Sequence, residues 1–404
     1  MLFRSADSAR EASTFGVRAT LEGIDMPAVL AYQDSVVSRL FKGLTGLVRS
    51  RGITVIEGEG RLTGPREVTV DGTAYRGTSV VLASGSYSRT LPGLEIDGER
   101  VLVSEQALRL DRVPASVVVL GGGVIGCEFA SVWRSFGAEV TIVEALPRLI
   151  AAEDPASSAA LERAFRKRGI TSRTSTAFEG VKVTDHGVSV TVAGGETIEA
   201  EYLLVAVGRG PRTEGLGYEE QGIAMERGFV LADERGRTNV EGVYAVGDIV
   251  PGLQLAHRGF AHGILVAEQI AGLDPRPVPE AGIPRVTYTH PEVASVGLTE
   301  DAARETFGAD AVETVTYDLG GNGKSQILRT QGFVKLVRRA DGPVVGIHLV
   351  GDRVGELIGE AQLIYNWEGY ADDVAPLLHA HPTQHEALGE AHLALAGKAL
   401  HAHG

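Results

Sequence analysis

Cysteine is almost missing from this chain: its 404 residues hold one, Cys127. No intramolecular disulfide can form, and a small scaffold stapled by disulfides is excluded. Long apolar runs are missing too, since no stretch approaches the ~18–20 consecutive apolar residues of a membrane helix. Positive charge is in short supply. A formal net charge of −14 repels a phosphate backbone and no basic patch offsets it, so nucleic acid is set aside as a partner. Arg4, Arg10 and several serines near the start suggest a transit peptide, but Asp7 and Glu11 argue against one and no apolar signal region follows. The cytoplasm is the expected compartment. Low-complexity tracts and 20–50-residue repeats are absent as well. Glycine is abundant instead, with 52 residues, which suits a fold full of tight strand-to-helix turns and close backbone approaches. The length predicts two or three domains.

Leu2, Phe3, Ala6, Ala9 and Ala12 fall at helical spacing, so the chain begins inside a helix with no capping residue before it. A longer helix is predicted over 36–48, then strands over 53–57, 68–70 and 79–83. From 116 the pattern becomes strand 116–120, glycine loop 121–126, helix 128–136 and strand 139–143, one strand–helix–strand unit of about 30 residues. A helix over 156–168, alternating strands near 181–192 and a buried strand 202–207 follow. Residues 227–280 predict a short strand, a Gly-Asp turn and a helix over 255–271. Beyond Gly282-Ile283-Pro284, strands over 293–298, 333–338 and 344–349 with helices over 300–306 and 353–370 make a mixed α+β module. A last helix is predicted over 384–395.

Gly121, Gly123 and Gly126 have the spacing of the dinucleotide fingerprint and lie where it belongs, after a strand and before a helix. Gly121 permits the tight turn, Gly123 lets a pyrophosphate reach the helix N-terminus, and Gly126 allows close packing. Glu144 ends the next strand about 20 residues on, where a carboxylate binds ribose hydroxyls and repels a 2′-phosphate. NAD is therefore favoured over NADP, with Arg148 nearby weighing the other way. The candidate nucleotide contacts are Gly121, Gly122, Gly123, Val124, Ile125, Gly126, Glu128 and Glu144. The bland alternative is a glycine turn beside a solvated glutamate. Cys127 opens the helix, where a thiol pKa can be lowered; a small buried packing residue is the expected role.

Other segments need more than NAD. Residues 238–248, Thr-Asn-Val-Glu-Gly-Val-Tyr-Ala-Val-Gly-Asp, resemble the flavin-binding signature of the pyridine nucleotide-disulfide oxidoreductases. By that resemblance Asp248 holds the ribityl chain, and Leu255-Ala256-His257 opens a helix whose positive end faces the flavin. Ala83-Ser84-Gly85-Ser86 is similar to the family's strand-end Ala-Thr-Gly-Ser, with Ser for Thr. Gly60 matches a glycine whose backbone contacts FAD, and Gly208-Arg209-Gly210-Pro211 resembles the turn that closes over the nucleotide. Residues 288–299 resemble the start of the family's dimerisation domain.

His379-Ala380-His381-Pro382-Thr383-Gln384-His385-Glu386 narrows the resemblance to the dihydrolipoyl dehydrogenases, with His381 the acid/base and Glu386 its orienting carboxylate. A thiol with a pKa of about 8–9 is mostly protonated at neutral pH, so an imidazole must take its proton before it attacks a disulfide. Two other readings compete: a metal held by His379, His381 and His385, against which Pro382 breaks the i, i+4 geometry, and a helix cap with Thr383 as N-cap and Glu386 in a capping box. Of the other histidines, His257, His262, His290, His401 and His403 are expected at the surface or in packing roles.

The resemblance implies an α/β flavoprotein with two Rossmann-like dinucleotide-binding domains and a C-terminal α+β dimerisation domain. Its expected division is 1–110 partial FAD-binding, 111–230 NAD-binding, 231–281 return to the FAD domain and 282–404 interface. It implies passage of electrons from dihydrolipoamide through a disulfide and FAD to NAD, in a homodimer served by lipoyl domains of 2-oxoacid dehydrogenase complexes. The family also begins with a segment before the position of Met1, carrying a first glycine motif and a Cys-x-x-x-x-Cys pair. A shortened, inactive chain with an incomplete FAD domain is the resulting expectation; an open apolar slot would follow from the lost first strand. The alternatives are an NADH diaphorase or quinone reductase of the same fold that needs no redox disulfide, and a non-catalytic NAD-binding dimerising protein.

Overall fold

The computed structural model describes residues 3–401; Met1, Leu2 and the tail with His403 lie outside them. The chain packs into two units, one of residues 1–26, 90–207 and 281–404, the other of residues 27–89 and 208–280.

In the first unit the run Ser116–Leu120 holds three consecutive valines, buried throughout, as a strand covered on both faces requires. It is the middle of a five-stranded parallel sheet ordered Val101–Leu102, Tyr202–Val205, Ser116–Leu120, Glu139–Val143, Ile170–Arg173. The helix Val124–Phe136 connects the middle strand to the next one and ends at Gly137, whose φ of 112° takes the left-handed turn that terminates it. Leu161 and Phe165 of the helix Pro155–Lys167 share a core with Val119 and Ile142 of this sheet and with Val293, Phe333 and Val350. Those last three belong to an antiparallel sheet ordered Arg285–Thr287, Glu292–Gly297, Val344–Gly351, Phe333–Arg339, Val312–Asp318. Its other face carries Val296, Leu336, Ile347 and Leu349 against Leu357, Ile358 and Ala361 of the helix Val354–Asn366 and Leu388 and Ala391 of the helix Glu386–Leu395.

A buried ion network crosses the first of these contacts. Lys335 Nζ donates to both oxygens of Asp154, at 2.9 and 3.0 Å, and lies 2.7 Å from Glu300 Oε2. Asp154 also caps the helix Pro155–Lys167 through the Ala156 N–H at 2.9 Å. Burial opposes charge on Asp154, yet the Lys335 ammonium and the N–H donors prevail and hold its carboxyl below the usual range.

The second unit builds a smaller core from Leu62, Leu82, Tyr218, Ile223, Val230, Val243, Ala245 and Ile249. Its parallel ladder has two strands, Val80–Leu82 and Val243–Ala245, beside the antiparallel sheet Gly60–Gly64, Glu67–Val70, Thr73–Arg76. So narrow a ladder covers little. The helix expected over 36–48 runs from Met26 to Ser50, with Pro27 in its first turn, and none of its residues is buried; Phe41 is 68% exposed. In the helix Ala256–Ile270 Phe260 is likewise exposed. The strand expected over 53–57 does not form. Its β-branched residues favour an extended chain, but a strand needs a ladder partner, and none of the described strands pairs with it.

Removing one partner of a buried ion pair strands the other. Lys335→Ala is expected to cost about 3–5 kcal/mol at neutral pH, read from urea unfolding of the full chain. The folded-state pKa of Asp154 is depressed, so its contribution is present above the unfolded carboxyl pKa of about 3.9 and is lost as pH falls through the lower folded value. The gap between wild type and Asp154→Asn should therefore close only under strongly acidic conditions.

Candidate functional site

The glycine loop is built by two close approaches. A Cβ at Gly121, whose φ is 110°, would lie 2.3 Å from the Ala206 carbonyl oxygen, and one at Gly126 would lie 1.9 Å from the Gly121 carbonyl oxygen. Gly123 differs, since a Cβ there meets nothing within 4 Å. The loop is therefore open on that side, and Gly123 is the N-cap of the helix Val124–Phe136 with no side-chain cap. Unsatisfied N–H groups and the helix dipole both favour an anion there. Val124 is exposed and Ile125 half-buried beside it. Glu144 borders the loop: its Oε2 accepts the Gly122 N–H at 2.5 Å and its Oε1 the Leu146 N–H at 2.6 Å. Arg148 donates from Nη2 to the Ala151 carbonyl at 2.9 Å. Glu128 faces elsewhere, accepting the Tyr288 N–H at 2.8 Å, and burial raises its pKa. Cys127 is fully buried with its Sγ 3.3 Å from the Gly122 carbonyl, and burial pushes its thiol up, with Glu128 and Glu144 adding to the effect. It is a packing residue.

In the second unit, Asp248 lies on the turn Gly247–Ile249 after the strand Val243–Ala245. Its Oδ2 accepts the Ser86 hydroxyl at 2.5 Å. Arg209 donates from Nε to Ser86 Oγ at 2.7 Å and from Nη2 to the Ser86 carbonyl at 3.0 Å, so Arg209, Ser86 and Asp248 form one chain. Ser84 donates to the Arg212 carbonyl and accepts from Tyr218. Gly85 (φ 76°) and Gly208 (φ 108°) each take a left-handed backbone with open space where a Cβ would be. Ala256 is the exposed first residue of the helix Ala256–Ile270, and Leu255 before it supplies no side-chain cap. Arg258, buried, fastens that helix to the turn through the Gly247 carbonyl at 3.2 Å and to Glu280 at 2.9 Å. Gly60 starts its strand paired with Val70, and a Cβ there would make only ordinary contact; the constrained glycine is Gly58, at φ 144°.

At the C-terminal loop, His381 Nδ1 donates to Glu386 Oε1 at 2.9 Å and Glu386 Oε2 accepts the Thr383 N–H at 2.8 Å. Burial works against charge on Glu386, but the Thr383 N–H and His381 outweigh it and lower the carboxyl pKa. The expected cap does not form: the helix starts at Glu386 with His385 at its N-cap and no side-chain cap, and the Thr383 hydroxyl donates to the Ala380 carbonyl. The metal reading of the histidines fails on partners: His379 and His385 both bond Glu360, and among the described residues no group of three ligands could hold a metal ion. Nothing in the sequence pointed to Glu360, which lies 19 and 25 residues from those imidazoles. Asn322, buried, was missed as well; it donates to the Thr383 carbonyl at 3.0 Å. Tyr317 is buried beside Glu390 and Glu386, and burial together with those carboxylates keeps it protonated, its pKa pushed up to about 12.

One dinucleotide-type glycine loop, the cluster of Ser86, Arg209 and Asp248, and an imidazole–carboxylate pair on one chain point to a flavin- and pyridine-nucleotide-dependent class of protein, and comparison with known proteins agrees. The family pattern described as pyridine nucleotide-disulphide oxidoreductase matches residues 3–263, and that of the family's dimerisation domain matches residues 283–392. The chain belongs to the pyridine nucleotide-disulphide oxidoreductases. It is 36% identical over 398 residues to the mitochondrial dihydrolipoyl dehydrogenase of Pisum sativum, covering 96% of this chain and 79% of that one. It is 39% identical over 405 residues to the dihydrolipoyl dehydrogenase of Chlorobaculum tepidum, covering 96% and 86%, and 37% identical over 428 residues to that of Bacillus subtilis, covering 99% and 89%. Among solved structures, LpdA from Mycobacterium tuberculosis superposes with a TM-score of 0.90 at 28% identity, covering 97% of this chain and 87% of that one. The flavoprotein disulfide reductase RclA of Escherichia coli, at TM-score 0.85 and 24% identity, shares the fold. The architecture is thus the α/β flavoprotein with FAD- and NAD-binding domains and a C-terminal dimerisation domain. Within the family the chain is a dihydrolipoyl dehydrogenase-like oxidoreductase with FAD and NAD as cofactors.

The two glycines should separate by what a methyl group meets. Gly126→Ala is expected to lose about 1–3 kcal/mol or more through overpacking, and Gly123→Ala to melt within about 0.5 kcal/mol of wild type, both read from the unfolding midpoint.

Proposed function

We propose that the chain oxidises dihydrolipoamide to lipoamide and reduces NAD, with His381 as acid/base. The observation that supports this most is the His381–Glu386 pair at 2.9 Å. A carboxylate cannot donate, so the ring nitrogen facing Glu386 carries the proton and Nε2 is left as the basic nitrogen. His381 is 77% exposed, so that nitrogen is accessible to a substrate thiol. Proton transfer to Nε2 generates the substrate thiolate, which attacks one sulfur of a disulfide and expels the other as a thiolate; with one cysteine in these 404 residues, that disulfide is the family's Cys-x-x-x-x-Cys pair, and Glu386 stabilises the imidazolium that results. Cys127 takes no part in that exchange, being buried with its thiol pushed up.

The open face at Gly123 and the first-turn N–H groups support a site for the pyrophosphate of NAD, and Glu144, which borders the loop, is the carboxylate we assign to the ribose hydroxyls. We assign to FAD Gly85 and Gly208 on their open positions, Arg209 and Asp248 on the Arg209–Ser86–Asp248 chain, and Ser84, Gly60 and the helix start at Ala256 on the family resemblance. When bound, the two cofactors supply two-electron acceptor chemistry. By cofactor the chain divides into 1–110 and 231–281 for FAD, 111–230 for NAD and 282–404 for the interface, a division that cuts across the packing units. The assembly we propose is a homodimer, with lipoyl domains of 2-oxoacid dehydrogenase complexes presenting the substrate.

In the FAD-loaded protein isolated from its natural source, NAD reduction by dihydrolipoamide is the deciding assay, and His381→Gln is expected to lower its kcat by roughly 10²–10⁴. Quinone reduction by NADH with no dihydrolipoamide turnover would favour a diaphorase instead. NADH should bind at least about tenfold more tightly than NADPH, and Glu144→Ala should erase most of that difference, a loss on the order of 1.5–3 kcal/mol for a charged hydrogen bond. Fluorescence titration measures both, and equal affinities in wild type would refute the assignment of Glu144.

A further inference from the structure

The loop that carries His381 is tied down by a second carboxylate. Glu360 lies on the helix Val354–Asn366. His379 Nε2 donates to its Oε1 at 2.7 Å, and His385 Nδ1 donates to its Oε2 at 2.9 Å. These two imidazoles lie on either side of His381 in the sequence, so one side chain closes the loop at both ends. His379 is also keyed into the helix Glu386–Leu395: a Cβ at Gly389 would lie 2.6 Å from its Nδ1, and the glycine makes the room. His392, buried in the same helix, bonds the Leu388 carbonyl through Nδ1 at 2.7 Å and lies within electrostatic reach of Glu360 and His379. Burial disfavours charge on Glu360, but the two imidazoles prevail and keep it ionised, and its hydrogen bond in turn raises the pKa of His379.

Such a tie is needed. An exposed imidazole–carboxylate pair contributes little, because water screens it, too little to hold the geometry of His381 and Glu386 on its own. The ties are also better buried than the ring they support, with His379 at 12%, Glu360 at 26% and His385 at 45% exposure against 77% for His381. We propose that Glu360 is a positioning residue for His381: by binding His379 and His385 together it holds the loop in the shape in which His381 Nδ1 meets Glu386. This rests on the reading of His381 as the acid/base.

The test is the chemical shift of each ring against pH in the full chain labelled with ¹³Cε1-histidine, with Glu386→Gln as the reference for an unpaired His381. Glu360→Ala should displace the curves of His379 and His385 and carry that of His381 at least halfway to the Glu386→Gln reference. Glu360→Gln keeps an acceptor oxygen and should leave His381 closer to wild type. His385→Ala cuts one tie at a half-exposed position, should move His381 the same way by less, and decides the matter if Glu360→Ala does not fold. The proposal is overturned if the His381 curve in these variants superimposes on wild type, or if the His379 curve does not respond to loss of Glu360. Neither result depends on turnover, so both are separable from failure of the dihydrolipoamide assay.

Discussion

A carboxylate oxygen accepts hydrogen bonds and never donates one, and the chemistry of the C-terminal loop follows from that constraint. Glu386 takes the Thr383 N–H on one oxygen and His381 on the other. The backbone bond fixes the carboxylate, the carboxylate fixes the tautomer, and the tautomer leaves Nε2 as the nitrogen able to move a proton. Glu386 opens a helix whose Ala387, Leu388 and Ala391 are fully buried against the antiparallel sheet. The geometry of one exposed ring is thus set by a core that lies beneath it.

The nucleotide loop uses a different device for the same end. Gly121 and Gly126 bring backbone against backbone, so the position of the helix relative to the central strand is set by contact distances that any side chain would violate. Gly123 is free of that duty and is the residue left for a ligand to approach. Asp154 and Lys335 then join the parallel sheet's helix to the antiparallel sheet through a buried charge pair, which makes the first unit continuous from the glycine loop to the loop of His381.

Local signals were legible in the sequence and distant ones were not. The fingerprint at 121–126, the carboxylate at 144 and the His381–Glu386 pair are each contained in a short window, where turn chemistry and spacing determine geometry. Glu360 could not be found that way, because only tertiary packing brings the helix Val354–Asn366 beside His379 and His385; the same holds for Lys335 and Asp154, 181 residues apart. The strand Val312–Asp318 was overlooked, although its valines, threonines and tyrosine are β-formers. The stretch 53–57 erred in the other direction, since β-propensity cannot supply a ladder partner. An apolar stripe over 36–48 implied a packed helix; in the second unit the ladder is too narrow to bury it.

The central claim is the protonation of one ring, and ¹⁵N chemical shifts of His381 at a pH where the imidazole is neutral measure it directly. The account predicts a protonated, pyrrole-type Nδ1 and a bare, pyridine-type Nε2. A protonated Nε2 with a bare Nδ1 would contradict it, because the ring would then present a donor where the chemistry requires a base.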